Sequence, residues 1–277
     1  MRTQAQKATA FRALHDRPGA FIIPNPWDAG TARLLASLGF EALASTSLGL
    51  ANALGRADGV NAVGVDAVIE NVRAIAQATD LPVNADLENG YADAPDLAAE
   101  TVRRAAEAGA VGASIEDFTG DAQRGIYDFQ HAVERVHAAA ETAHSLPVPV
   151  MLTARAENLL RGRNDLDDTI RRLQAFERAG ADVLYAPGLK DLSTISTVVS
   201  SVRKPINVVM SMADPSITAE QLADAGVKRI SVGGALSRLA LGSFMEGARE
   251  MAEKGSFTWV GRAISTKELS SIFDKQV

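Results

Sequence analysis

Four polar side chains stand where apolar runs stop in the middle of this 277-residue chain. Asp86 ends the run in VNADLENGYAD, Glu116 the run in GASIEDF and Arg155 the run in MLTARAEN, while Asn207 lies in PINVVM. Polar groups placed repeatedly at the C-terminal ends of strands are how a (β/α)8 barrel builds an active site from separate stretches of sequence. The residue types narrow the chemistry. Carboxylates able to hold a hard cation, together with an arginine, describe a site for a small anionic substrate on a metal.

Asp86 and Glu88 form D-L-E just past the third candidate strand and run into Asn89-Gly90-Tyr91. Acidic residues are depleted in strands, so this pair needs solvent or a cation; a solvated Asn/Gly turn is the alternative reading. Glu116-Asp117 falls at the same level one strand later, and two carboxylate clusters repel unless a cation or a proton lies between them. Oxygen donors without His or Cys point to Mg2+, or Mn2+, rather than zinc. Arg155 at a central strand end is costly unless paired. Either it bridges to Glu116 or Glu157, or it clamps a substrate carboxylate or a growing enolate oxygen.

Ser45-Thr46-Ser47-Leu48-Gly49 closes the second strand with small residues. Their backbone N–H groups could approach an anion, or they form an ordinary turn. The Ala/Gly/Asn-rich stretch 51–64 that follows reads as a long mobile loop carrying Asp58. Asp28 suits an N-cap, and Asn207 suits either core hydrogen bonding or substrate contact. Gly233-Gly234 after the eighth strand would suit a phosphate, but MSMADPS after the seventh brings no glycine to complete such a site. His15, His131, His137 and His144 all fall away from strand ends, so histidine catalysis is not expected.

The elements that must position these groups follow one grammar. LASLGFEALAST, AAEAGAVGASIED, FERAGADVLYAP and LADAGVKRISVGG each read as amphipathic helix, Gly, short apolar strand, polar end. The Gly fits a helix C-terminus that needs positive φ, and the apolar strand fits a parallel sheet covered on both faces. Strands are expected at 20–24, 41–46, 82–86, 111–116, 149–154, 182–186, 205–209 and 229–233. Helices are expected at 28–38, 62–79, 95–108, 129–144, 165–179, 190–201, 218–225 and 236–254. Eight such units predict a closed barrel, with a doubly wound sheet as the alternative. No Pro/Gly/Ser-rich linker interrupts them, so residues 1–277 read as one domain. The tail 255–277 carries Phe257, Trp259, Ile264, Leu269, Ile272 and Phe273, and must pack on its own barrel or on a neighbouring subunit.

Composition removes other classes. A formal net charge of −6 without a basic run disfavours nucleic acid and anionic membranes. The absence of cysteine excludes disulfides, thiolate metal sites and cysteine catalysis. No apolar run approaches a membrane span and the N-terminus has no secretory apolar core, so a cytoplasmic enzyme is expected.

On these motifs the chain resembles the isocitrate lyase / phosphoenolpyruvate mutase superfamily from about residue 8 to 255. The matching pieces are PNPWDAGTARLLASLGFEAL, LGRADG, NADLENGY, SIED, TARAEN and SRLALGSFMEGA. The resemblance implies an α/β barrel, commonly tetrameric, with its eighth helix exchanged between subunits. It implies Mg2+ and a 2-oxo acid or its enolate, and chemistry that makes or breaks a C–C or P–C bond beside the carbonyl. By motif position Asp86 is then the direct metal ligand, and Glu88 and Glu116 hold metal waters. Thr46, Ser47 and Leu48 meet the substrate carboxylate, and Arg155 meets the substrate oxygen. Asp58 is the mobile-loop aspartate, Asn207 a substrate-side amide, and Tyr91 falls among the substrate-binding positions. Asp58, Arg155 and Glu116 form the expected catalytic set.

The departures from the family are equally informative. The isocitrate and methylisocitrate lyases carry K-[KR]-C-G-H in a lid after the fourth-strand glutamate. Here DFTGDAQRGIYD stands there, with Asp117, Asp121, Arg124, Tyr127 and Asp128 as its only ionisable groups. The Lys and Asn of the mutases and phosphonopyruvate hydrolases are missing too, and Pro187 replaces the lyases' glutamate after strand six. The expectation is therefore a Mg2+-dependent lyase acting next to the carbonyl of a small 2-oxo or 2-hydroxy carboxylate through an enolate, but not a true isocitrate lyase. P–C bond chemistry on a phosphonate, a non-catalytic 2-oxo acid binding barrel and a phosphosugar enzyme are the alternatives.

Overall fold

The computed structural model describes residues 1–59 and 61–274. Its eight strands are β1 (Phe21–Ile23), β2 (Leu43–Ala44), β3 (Val83–Asp86), β4 (Gly112–Glu116), β5 (Met151–Arg155), β6 (Val183–Tyr185), β7 (Ile206–Val209) and β8 (Arg229–Ser231). They pair in parallel in the order β1-β8-β7-β6-β5-β4-β3-β2. The two ends of that order meet where the Ala44 N–H donates to the Pro24 carbonyl at 3.1 Å, so the sheet is a nearly closed (β/α)8 barrel. That closure excludes the doubly wound alternative.

The α-helices are α1 (Gln4–Asp16), α2 (Ala29–Ser37), α3 (Ser47–Ala53), α4 (Val65–Gln77), α5 (Pro95–Glu107), α6 (Phe129–Ser145), α7 (Leu166–Arg178), α8 (Leu192–Ser200), α9 (Ala219–Asp224), α10 (Ala235–Lys254) and α11 (Thr266–Phe273), and several begin or end for a local reason. Asp28 accepts from the Thr31 N–H at 2.7 Å and starts α2 (Ala29–Ser37). Gly109 and Gly180 take φ of 103° and 107° just past the helices at Pro95–Glu107 and Leu166–Arg178, the positions where the repeated grammar predicted a positive φ. Built onto either, a Cβ would press on Ala76 or Ala140 at 3.2 or 3.0 Å, so these turns also let helices pack closely.

Two helices depart from the sequence expectation. The helix α1 (Gln4–Asp16) precedes the first strand and opens with a Thr3/Gln6 capping box. Its Phe11 and Leu14 pack with Phe21, Ala42, Val111, Met151 and Val183 at the strand starts, which plugs the bottom of the barrel. Residues 47–53, expected as turn and loop, form α3 (Ser47–Ala53), whose N-cap Thr46 accepts from the Gly49 N–H. The strand expected at 41–46 is accordingly only two residues long.

The helix after β8, α10 (Ala235–Lys254), has only Ser237 and Gly247 buried among its 20 residues. The tail then folds back on its own chain. Trp259 covers Gly247, and α11 (Thr266–Phe273) packs on α2. Residues 275–277 of the expected docking tail lie outside the described residues. Among the described residues no helix is long and apolar enough to cross a membrane.

Candidate active site

A cavity of about 320 Å³ opens at the C-terminal ends of the strands. Asp58, Asp86, Arg155, Asn207, Thr46, Ser47 and Leu48 line it, so seven of the residues expected from sequence share one wall. Glu88, Tyr91 and Glu116 do not reach that surface and stand behind it.

Barrel shear explains how residues from different strand levels meet. Hydrogen-bonded neighbours run Glu116, Arg155, Tyr185, Asn207, Arg229 across five strands. This line starts at the end of β4 and finishes at the first residue of β8. Asn207 is therefore the second residue of β7, inside the lumen and 2% exposed, not at the strand end where its apolar run suggested.

Arg155 is the centre of a buried charge lattice. It pairs with Asp86 at 3.1 Å, Glu116 at 2.8 Å and Glu157 at 2.9 Å, and its guanidinium lies over the Tyr185 ring. Both partners proposed from sequence, Glu116 and Glu157, are thus real, and Asp86 is a third. Arg161 adds a second cation, 3.4 Å from Glu116 and 3.6 Å from Glu157, stacked on Phe118. The other oxygen of Asp86 accepts from the Ser47 N–H at 3.0 Å, and the Asp86 N–H donates to Ser45 Oγ at 2.8 Å.

Carboxylates crowd this lattice. Burial raises the Glu116 carboxyl well above its ordinary range, against the opposing pull of Arg155. Burial, helped by the Asp86 charge, pushes Glu88 up to about 7 even though Tyr91 donates to it. Burial and then the Asp86 charge also raise Asp58. Among the described residues no three Asp, Glu, His or Cys side chains converge as a ready metal cage, because Arg155 lies between Asp86 and Glu116. An oxygen-only donor set with one carboxylate on the cavity wall and two behind it fits a hard cation held by one protein ligand and waters.

The surrounding loops are held in defined shapes. After β3, Glu88 and Tyr91 take positive φ of 45° and 58°, an unfavourable conformation for side-chain-bearing residues. Gly90 between them has its carbonyl bound by Thr101 and would clash with Ala98 if it carried a Cβ. Tyr91 donates to Glu88 at 2.8 Å, so its role in this structure is to orient that carboxylate. The Asp58 loop rests on two neighbours, with Gly59 against Arg161 of the loop after β5 and Asn61 against Gly120 of the lid segment.

The lid holds no acid over the cavity. Tyr127 is buried and donates to Asp93 at 2.6 Å. Asp117 pairs with Arg172 at 3.0 Å and accepts the Glu157 N–H at 2.8 Å; burial brings its carboxyl to about 6. The phosphate alternative also loses its donors. The Val232 and Gly233 N–H groups both donate to Asn25 Oδ1, and Gly234 is needed because Leu48 occupies the space of a Cβ.

Sequence reasoning missed Tyr185, Arg229 and Arg238 on the cavity wall, and Arg161 behind it. Tyr185 ends an apolar run as Asp86 does, a signal that could have found it. Arg229 and Ser231 begin and end the three-residue strand β8 and gave no sign of facing the lumen.

Residues 11–252 match the phosphoenolpyruvate phosphomutase family. A crystal structure from Burkholderia cenocepacia J2315, described only as a lyase/mutase, is 55% identical with a TM-score of 0.94, covering 98% of this chain and 96% of that one. An oxaloacetate decarboxylase of Bradyrhizobium diazoefficiens is 29% identical over 202 residues, 71% of this chain and 68% of its own. The 2-methylisocitrate lyase of Escherichia coli K12 is 29% identical over 228 residues, 79% of this chain and 75% of its own.

Proposed function

This chain belongs to the phosphoenolpyruvate phosphomutase family of lyases and mutases that act on small oxo acids, and we propose that it is a Mg2+-dependent lyase of the decarboxylating or hydrolytic kind. Its substrate is then a small 2-oxo dicarboxylate such as oxaloacetate. The observation that carries this reading is the lid. Succinate-releasing lyases need a proton delivered to a nascent carbanion. Tyr127 and Asp117 are turned into the protein and bound there, and Asp121, Arg124 and Asp128 are not on the cavity wall. A reaction whose enolate takes its proton from water needs no such donor.

Asp86 would hold the metal, with Glu88 and Glu116 toward its waters. The ion when bound supplies Lewis-acid polarisation of the substrate's carbonyl and carboxylate oxygens. The chain's own groups do the rest. Arg155 lines the wall and faces the oxygen on which charge grows, a contribution of about 3–4 kcal/mol for one well-placed donor. Ser47 and Thr46 at the start of α3 offer hydroxyls to the substrate carboxylate. In decarboxylation the bond from C3 to the distal carboxylate breaks and CO2 leaves. The electron pair passes to the carbonyl oxygen, and water then protonates C3 of the enolate to give pyruvate.

The test is a panel of oxaloacetate, isocitrate and 2-methylisocitrate with Mg2+, read by coupled assays. Pyruvate or oxalate from oxaloacetate, with only trace cleavage of the other two, is expected. Turnover of isocitrate or 2-methylisocitrate near the ~10 s⁻¹ typical of enzymes overturns the reading. Binding of oxaloacetate without turnover identifies a non-catalytic binding barrel instead.

A further inference from the structure

Arg229 is a buried arginine without a carboxylate. It is 3% exposed at the floor of the cavity, and no Asp or Glu among the described residues pairs with it. Its Nε–H donates to Asn207 Oδ1 at 2.8 Å and its Nη2 to Thr153 Oγ1 at 2.9 Å, while Nη1 has no partner. Burial lowers it only to about 10, so it is charged at neutral pH. A guanidinium taken out of water and left uncompensated is unfavourable, which calls for a negative charge from elsewhere.

The hydrogen bonds around it have one direction. A guanidinium can only donate, so Asn207 must turn Oδ1 toward Arg229 and its NH2 edge the other way. That NH2 donates to Ser231 Oγ at 3.0 Å. Ser231, with its oxygen already accepting, has its own hydrogen left to give, and it lines the same cavity. Each link polarises the next. Three side chains thus form a relay that begins in a fixed positive charge and ends in an outward O–H donor.

We infer that Arg229 is the positioning residue that makes this cavity select an anion, acting through Asn207 and Ser231 on the carboxylate of the bound oxo acid or its enolate. The inference rests on the oxo-acid reading above and adds to it the group that sets charge preference. Isothermal titration of Mg2+-saturated full-length protein with oxalate, a dianion, and oxamate, its singly charged amide analogue, tests it. Arg229→Met is expected to lose oxalate affinity by about tenfold or more, the size of one charge-assisted hydrogen bond, and to narrow the preference for oxalate over oxamate. Its Mg2+ affinity should stay unchanged. Ser231→Ala should weaken oxalate in the same sense and is the second variant if Arg229→Met does not fold. Arg229→Lys, which keeps the charge, should retain more of the preference than Arg229→Met. An equal loss for oxalate and oxamate, or a smaller loss in both Arg229→Met and Ser231→Ala, overturns the role of Arg229 alone. Wild-type protein that binds neither ligand overturns the oxo-acid reading, and the inference with it.

Discussion

Asp86 answers to two donors, the Ser47 N–H and Arg155, and stands on the wall where a cation would sit. Asp86→Asn keeps an oxygen for Arg155 and removes the charge. Mg2+ affinity should fall by more than about 100-fold, since losing an outer-shell partner alone typically costs 10–100-fold. The thermal midpoint should move little, because Glu116 and Glu157 still hold Arg155. Calorimetry with Mg2+ checks this, and unchanged affinity would remove Asp86 as the anchor. Asp86, Glu116 and Arg155 were legible because a charge that ends an apolar run has few other uses. Arg229 was not, because an arginine opening a short strand gives no sign of its side-chain direction, and Arg161 was not, because it lies in a loop without period. Tyr91, expected to bind substrate, stands behind the wall, and its service to Glu88 depends on a positive-φ turn that sequence does not display.

At the scale of elements, the β-strand, Gly and helix grammar gave the eight units to within a few residues, since parallel strands and their helices carry strong apolar patterns. The N-terminal helix α1 escaped because its buried residues form a narrow stripe among polar ones. That helix supplies the clearest pH prediction. His15 is packed between Phe11 and Phe21, and its Nδ1–H donates to the Phe11 carbonyl at 2.8 Å. Burial, then the nearby Arg229 charge, lower it to about 3. The unfolded chain takes up this proton near pH 6.5 and the folded chain does not until near 3. Stability from this group is therefore whole above about pH 6.5 and declines as pH falls toward 3. At pH 4.5 the expected loss is of order 2–3 kcal/mol. Urea unfolding at pH 7 and 4.5 should show a stability change less favourable to the folded state by that amount in the wild type than in His15→Phe, since the raised carboxyls of Glu88 and Asp117 respond to pH in both proteins. An equal pH response in both proteins would show that His15 is not the cause.

At the scale of the whole molecule, the barrel leaves one helix largely uncovered. Along α10, Leu239, Phe244, Met245 and Met251 are exposed, and Phe257, Val260 and Ile264 continue the apolar surface into the tail. The pattern of apolar residues beyond the eighth strand was legible, but its destination was not. The tail returns to α2 and α10 of its own chain rather than covering this face. An exposed apolar surface of this extent on one helix marks an interaction site. We expect a second copy of this chain to cover it, with α10 lying against the neighbouring barrel. Two changes separate this helix from the tail. Leu239→Glu with Phe244→Glu places charges on the exposed face without touching Ser237 or Gly247, the two buried positions. This double variant should sediment as smaller species than the wild type, with the barrel's thermal unfolding still cooperative. Truncation after Lys254 removes the Trp259 cover of Gly247 and the α11 contact with α2, and should give smaller species or aggregates. Wild-type protein that sediments as a well-behaved monomer at micromolar concentration would contradict the expectation directly. Smaller species from the truncation, but not from the glutamate pair, would move the contact from α10 to the tail.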